Sequence, residues 1–70
     1  MPYFYVNKNA QSNGDHEVHE TGAPCNRHAD PQNRVDLGYH SNCQSAVTKA
    51  KSMGYKANGC YYCAKACHTS

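Results

Sequence analysis

The chain has very little material for a hydrophobic core. Its 70 residues include no Ile and no Trp. The large aliphatic and Phe side chains are Met1, Phe4, Val6, Val18, Val35, Leu37, Val47 and Met53. A domain this small and this polar is usually stabilised by disulfides, by a metal ion or by a second subunit. We therefore expect residues 1–70 to form one domain that depends on such a constraint.

Five cysteines indicate which constraint applies. An odd number leaves one thiol over in any complete disulfide framework. The first ten residues lack the basic segment and the apolar run of a signal peptide, and no stretch approaches the length of a membrane span. We therefore expect a protein of the reducing cytoplasm, where clustered cysteines bind metal more often than they form disulfides.

Local patterns predict an α+β fold with a small antiparallel sheet of about three strands, one packed helix and a C-terminal zinc knuckle. Residues 3–7 are aromatic and β-branched, residues 15–20 alternate between two faces, and residues 34–39 place Val35 and Leu37 on one face. These three segments have the composition and period of strands.

The helix is predicted to follow the third strand, with Ser41 or Asn42 as its N-cap. Gly54 is its expected end, and residues 55–59 are predicted to be a linker. The apolar stripe consists of Cys43, Ala46, Val47, Ala50 and Met53.

The spacing Cys60-x2-Cys63 is the strongest chemical signal in the sequence. Two residues between thiolates let one turn present both sulfurs to the same metal ion, at about 2.3 Å each. Gly59, just before the pair, permits a close backbone approach. Cys25 lies far away in the chain, in a Pro-containing loop, and is predicted to be a third ligand. The alternative is that these cysteines are small buried apolar residues.

The residues leave the fourth ligand open. His19 precedes Cys25 by six positions, whereas Cys67 follows Cys63 by one helical turn and His68 is next to it. A site with Cys67 would be all-thiolate. Cys43 lies on the helix stripe and is predicted to be a core residue. His28 and His40 lie in or beside loops, where we expect them to be solvated.

The order of these strands, candidate ligands and helix along the chain resembles Ada-type metal-binding domains and a family of small uncharacterised bacterial zinc-binding proteins. The resemblance covers roughly residues 16–63. Its pieces are His19, Cys25, residues 33–37, residues 46–50, Gly54-Tyr55, and Cys60 with Cys63. It implies zinc as the cofactor and His19, Cys25, Cys60 and Cys63 as its ligands.

Three features depart from the Ada-type pattern. The gap from His19 to Cys25 is longer than usual, and Cys67-His68 is an addition. His19 stands where the repair domain carries its alkyl-accepting cysteine. The resemblance therefore implies a metal site without the methyl-transfer activity.

The charges are divided unevenly between the two halves of the chain. Residues 1–36 have a net charge of −2, whereas residues 37–70 have four lysines, no acidic residue and a net charge of +4. Lys49, Lys51, Lys56 and Lys65, with Tyr55, Tyr61 and Tyr62 nearby, could contact phosphates and stack on bases. The expected function is a zinc-stabilised module that binds nucleic acid or another protein through this half. The alternative is a solvated helix face.

Two other functions remain open from the sequence. One is a protein–protein module that forms a homodimer through an edge strand carrying Tyr3, Phe4 and Tyr5. The other is a thiol/redox or iron–sulfur site, suggested by the series Cys60, Cys63 and Cys67. No nucleophile is paired with a base, and no phosphate-binding glycine loop is present, so we do not expect an enzyme.

Overall fold

The computed structural model describes residues 3–10, 14–22, 25, 28–60 and 64–68. The described residues form an α+β fold, as predicted. The elements in chain order are β1 (Tyr3–Asn7), β2 (His16–Thr21), a 3-10 helix (Pro31–Asn33), β3 (Arg34–Tyr39), α1 (Cys43–Ser52), β4 (Ala57–Gly59) and a second 3-10 helix (Lys65–Cys67). The predicted zinc knuckle includes residues 61–63, which lie outside the described residues.

The sheet has four strands in the order β3-β1-β2-β4. β1 pairs antiparallel with β2 and β3, as the sequence predicted for three strands. β4 pairs parallel with β2, with Val18 opposite Gly59, so the prediction of a linker over residues 55–59 is wrong. Ala, Asn and Gly have low strand propensity, so β4 has no local signal. α1 connects β3 at one edge of the sheet to β4 at the other edge, where β4 lies parallel to β2.

β1 lies in the interior of the sheet, and the edge position predicted for it is wrong. Phe4 and Tyr5 are each only 2% exposed, so their aromatic rings are internal packing groups. The homodimer hypothesis therefore loses the edge strand on which it was based.

α1 begins where Asn42 caps it, because the Asn42 side-chain oxygen accepts a hydrogen bond from the Ser45 N–H at 3.0 Å. The helix packs on one side of the sheet, which we call the helix-side face. Its buried residues are Phe4, Val6, Val18 and Leu37 of the sheet, Ala46, Val47 and Ala50 of the helix, and Ala57. No helix in the part of the chain that the structure describes is long and apolar enough to cross a membrane.

The prediction that Met53 belongs to the buried stripe is wrong, since Met53 is 47% exposed. It is the C-cap of α1, and the chain reverses at Gly54, which has a positive φ of 97°. The reversal removes Met53 from the helical periodicity that would have placed it on the sheet.

Cys43 and Cys67 form a disulfide, with Cα atoms 6.2 Å apart. Cys43 is half-buried and packs against the core, as predicted, but its disulfide with Cys67 was not predicted. The disulfide joins the first turn of α1 to the C-terminal 3-10 helix. That segment lies directly on Gly59, where an added Cβ would be 2.7 Å from the Ala64 carbonyl oxygen and from the Cys67 Cβ. Only glycine permits this approach of the two backbones.

Candidate metal centre

The pairing of β2 with β4 brings His19 and Cys60 together. Val18 is opposite Gly59, and the Cys60 N–H donates a hydrogen bond of 2.9 Å to the Val18 carbonyl. The next residue on β2 is His19, so the two candidate ligands lie side by side. Both are 0% exposed. A short strand without a local sequence signal thus positions the buried half of the site.

Cys25 completes a cluster of three donor atoms. Its Sγ lies 3.6 Å from the Cys60 Sγ and 3.8 Å from the His19 Nδ1. Two sulfurs bound to one tetrahedral ion at about 2.3 Å lie about 3.8 Å apart, and a sulfur and an imidazole nitrogen lie about 3.6 Å apart. The observed spacing therefore fits donors that share one ion, and it exceeds the length of a disulfide bond, which is about 2.05 Å.

The structure brings three of the predicted ligands together, with all their donor atoms within 4.8 Å of one another. Cys63 lies outside the described residues. Among the residues that are described, the cluster includes neither of the alternative fourth ligands. Cys67 is bonded to Cys43, and the His68 Nδ1–H donates to the Gly59 carbonyl at 3.0 Å. With its sulfur in a disulfide, Cys67 has no thiolate to offer a metal, which rules out the Cys67 alternative in this form.

His19 has the protonation state that a metal ligand requires. Burial, with smaller contributions from the positive charges of His28 and Arg34, lowers the pKa of His19 from 6.5 to about 4. The imidazole is therefore neutral at pH 7, with a lone pair available for a metal ion. Its Nε2 lies 3.5 Å from the Oε1 of Glu17.

Tyr5 supports the cluster in a way that the sequence analysis missed. Its ring stacks on His19 with centroids 5.1 Å apart and an interplanar angle of 21°. The guanidinium carbon of Arg34 lies 4.6 Å from the centroid of the Tyr5 ring. The signal was available in the strand register, because Tyr5 and His19 are opposite each other in the β1–β2 pair. We call this side of the sheet, with Tyr5, His19, Cys25 and Cys60, the cluster face.

The hydroxyl of Tyr5 forms hydrogen bonds with His28 and Ala29. It shares a hydrogen bond of 2.6 Å with the His28 Nδ1 and accepts one of 3.2 Å from the Ala29 N–H. His28 is therefore bound to the cluster face, and the prediction that it is solvated is wrong. His40 is also hydrogen-bonded, to the Leu37 carbonyl at 2.8 Å and the Ser45 hydroxyl at 2.9 Å.

No protein-family model matches the sequence, and no curated protein or solved structure matches the chain. The resemblance to Ada-type domains therefore stays a prediction. What the described residues show directly is a His/Cys cluster that could hold a metal ion.

Proposed function

We propose that this chain is a small zinc-binding module in which the zinc ion is structural. The proposed ligands are His19, Cys25, Cys60 and Cys63. One observation carries the proposal: the donor atoms of His19, Cys25 and Cys60 lie within 4.8 Å of one another, and the Cys25 Sγ has spacings of 3.6 and 3.8 Å to the other two that suit a tetrahedral site. The implied ligand set of Ada-type domains agrees with it.

Zinc is the metal that suits these donors best. Thiolates together with a neutral imidazole are typical of structural zinc sites. An iron–sulfur cluster is usually held by four thiolates. Because His19 stands among the donors and Cys67 is not part of the cluster, the cluster favours zinc over iron and sulfide.

Cys63 is proposed as the fourth ligand because two residues separate it from Cys60. Four protein ligands fill a tetrahedral site and leave no position for water or substrate, whereas catalytic zinc sites keep one open. We therefore propose a role in stability without catalysis.

Native mass spectrometry, compared with the mass after denaturation, tests the metal. We expect one zinc ion per chain, lost in His19→Ala, Cys25→Ser, Cys60→Ser and Cys63→Ser. The matched control is the double variant Cys43→Ala/Cys67→Ala, which removes two sulfurs outside the site and should keep its zinc. Iron with inorganic sulfide, or zinc retained by Cys60→Ser, would contradict the proposal.

The compartment is also part of the proposal. We propose the cytoplasm, where the thiolates of Cys25 and Cys60 are kept reduced. This compartment requires that Cys43 and Cys67 are reduced in the cell as well, since their disulfide would persist only in an oxidising compartment. Alkylation of thiols in intact cells before lysis, followed by peptide mass spectrometry, tests the assignment. Alkylated Cys43 and Cys67 support the cytoplasm, and a retained disulfide contradicts it.

A second proposed function is binding of an anionic partner, with nucleic acid as the first choice. Lys49 and Lys51 are exposed on α1 and Lys65 is exposed on the C-terminal 3-10 helix, in a half of the chain that has no acidic residue. Lys56 is partly neutralised, since its Nζ lies 3.7 Å from Asp15. The helix lysines therefore offer the stronger positive surface.

Fluorescence anisotropy with a single-stranded oligonucleotide tests this function. Each phosphate contact contributes about 0.7 to the slope of log affinity against log salt. Lys49→Gln/Lys51→Gln should reduce that slope by about 1.4, whereas Lys8→Gln, an exposed lysine in the other half, should leave it unchanged. Affinity that stays constant between about 50 and 200 mM salt would contradict nucleic-acid binding.

A further inference from the structure

The two ring nitrogens of His19 face different partners. Nδ1 lies 3.8 Å from the Cys25 Sγ, on the side of the cluster. Nε2 is buried and lies 3.5 Å from the Oε1 of Glu17, at ion-pair distance but without the geometry of a hydrogen bond. The imidazole is 0% exposed and the Glu17 side chain is 18% exposed, so the contact is largely shielded from water. A neutral imidazole carries its proton on one nitrogen only, and the partner of that nitrogen decides which one it is.

We propose that Glu17 is a positioning residue for the metal site. In the zinc-bound protein its carboxylate closes on the Nε2–H of His19, accepts it, and thereby holds the tautomer whose Nδ1 offers its lone pair to the metal. This inference rests on the proposed zinc-binding function and adds a residue outside the ligand set.

The strand geometry places Glu17 for this role. Glu17 and His19 are two residues apart on β2, so their side chains lie on the same face of the sheet. A carboxylate can only accept hydrogen bonds, so the nitrogen that faces it is the one that carries the proton. The reverse tautomer would turn a lone pair toward a negative charge.

Tyr5 restricts the remaining freedom of the ring. Because Tyr5 stacks on His19 at 5.1 Å, the imidazole plane is set by packing, and the choice of tautomer is left to the hydrogen-bond partner. In metal sites a carboxylate behind a ligating histidine fixes the ring and raises its basicity, and its loss lowers metal affinity about 10–100-fold.

Glu20 is a matched control on the same strand. It is half-buried like Glu17, but it is opposite Phe4 and therefore lies on the helix-side face. A general effect of removing one negative charge from β2 would appear in both variants, whereas positioning of His19 belongs to Glu17 alone.

The test measures zinc affinity by competition with a chromophoric chelator, in the wild type, Glu17→Ala, Glu17→Gln and Glu20→Ala. We expect Glu17→Ala to weaken zinc binding about 10–100-fold. Glu17→Gln retains an oxygen that accepts the same N–H and should restore most of the affinity. Glu20→Ala should bind zinc as the wild type does. Equal affinities in Glu17→Ala and the wild type would overturn the inference.

A second readout does not depend on the folding of any variant. Long-range ¹H–¹⁵N spectra of the zinc-bound wild type should show His19 coordinated through Nδ1, with a slowly exchanging proton on Nε2. Coordination through Nε2 would overturn the inference. The outcome for His19→Ala separates the two proposals. If His19→Ala keeps its zinc, the proposed ligand set fails; if it loses zinc while Glu17→Ala does not, only the role of Glu17 fails.

Discussion

The two faces of the sheet are built from alternate residues of the same strands, yet different interactions hold them. On β1, Phe4 and Val6 pack under α1, while Tyr5 between them stacks on His19. On β2, Val18 belongs to the helix-side face and His19 to the cluster face. The helix-side face is held by burial of apolar area, which is not directional. The cluster face depends on donor atoms that must lie at fixed distances and angles from one another.

This difference predicts that damage to one face affects the other face unequally. Aliphatic packing tolerates changes of shape at moderate cost. A tetrahedral site loses its function when one donor moves. Since both faces share β1 and β2, loss of the cluster should release the strands that the helix-side face needs, whereas a cavity under the helix should leave the donors in place.

Removal of the metal is expected to have the largest effect. A structural zinc ion contributes about 10–16 kcal/mol at neutral pH, whereas the whole stability of a domain is about 5–15 kcal/mol. A strong chelator should therefore unfold both faces together. The measurement is the dispersion of the methyl resonances of Val18 and Leu37. Native dispersion in the chelated sample would show that the helix-side face is independent of the cluster.

Leu37→Ala tests the opposite direction. Leu37 is 1% exposed in the helix-side core, and truncation of a buried Leu costs about 2–5 kcal/mol. We expect a lower urea midpoint with one zinc ion still bound per chain. The control is Met53→Ala at the exposed helix end, which should change stability by less than about 0.5 kcal/mol. Loss of zinc from folded Leu37→Ala would contradict the asymmetry.

Removal of the disulfide should cost much less stability than removal of the metal and should leave the metal site intact. Cys43 and Cys67 are 24 positions apart, and a loop of that length corresponds to about 3–4 kcal/mol in the chain-entropy model. Cys43→Ala/Cys67→Ala should unfold at a lower urea concentration, and reduction of the wild type should have a similar effect. If reduction releases zinc from the folded wild type, zinc binding depends on the disulfide, which contradicts this prediction.

Acid should destabilise the protein through His19, with a defined sign. Unfolded His19 takes up a proton near pH 6.5, whereas the folded pKa is about 4. For the metal-free imidazole this contribution is complete above pH 6.5 and is lost as the pH falls from 6.5 to 4, by about 3 kcal/mol. Zinc bound to His19 adds to the loss, because the proton must displace the metal. Protonation of the thiolates acts in the same direction. The measurement is the urea midpoint of unfolding at pH 7 and at pH 5. The control variant His40→Gln should show the same fall between the two pH values as the wild type. Equal wild-type midpoints at pH 7 and pH 5 would contradict the role of His19.

Local patterns in the sequence were sufficient for most of the fold. The strands predicted over 3–7 and 34–39 have those bounds in the structure, and Asn42 caps α1 as expected. These elements are specified by residues that are close together in the chain. Aromatic and β-branched runs specify the strands, and apolar residues three and four positions apart specify the helix. The helix start is specified by a side chain that accepts a hydrogen bond from the N–H three residues later.

The candidate site was predictable only in part. Cysteine spacing and the position of His19 pointed to three residues whose donor atoms the structure brings together. The surrounding contacts of Tyr5, His28 and Arg34 were not predicted, because they depend on strand register and on side chains that are far apart in the chain.

The sequence by itself determined the α+β class, three strands, one capped helix and a set of metal-ligating residue types. The tertiary structure alone decided that Ala57–Gly59 is a strand, that β1 is internal and that Cys43 pairs with Cys67. The physical reason is the separation along the chain of the residues that specify each feature. Helix caps and strand alternation are fixed by neighbours along the chain, whereas a parallel strand, a sheet order and a disulfide depend on distances between segments that only the folded chain brings together.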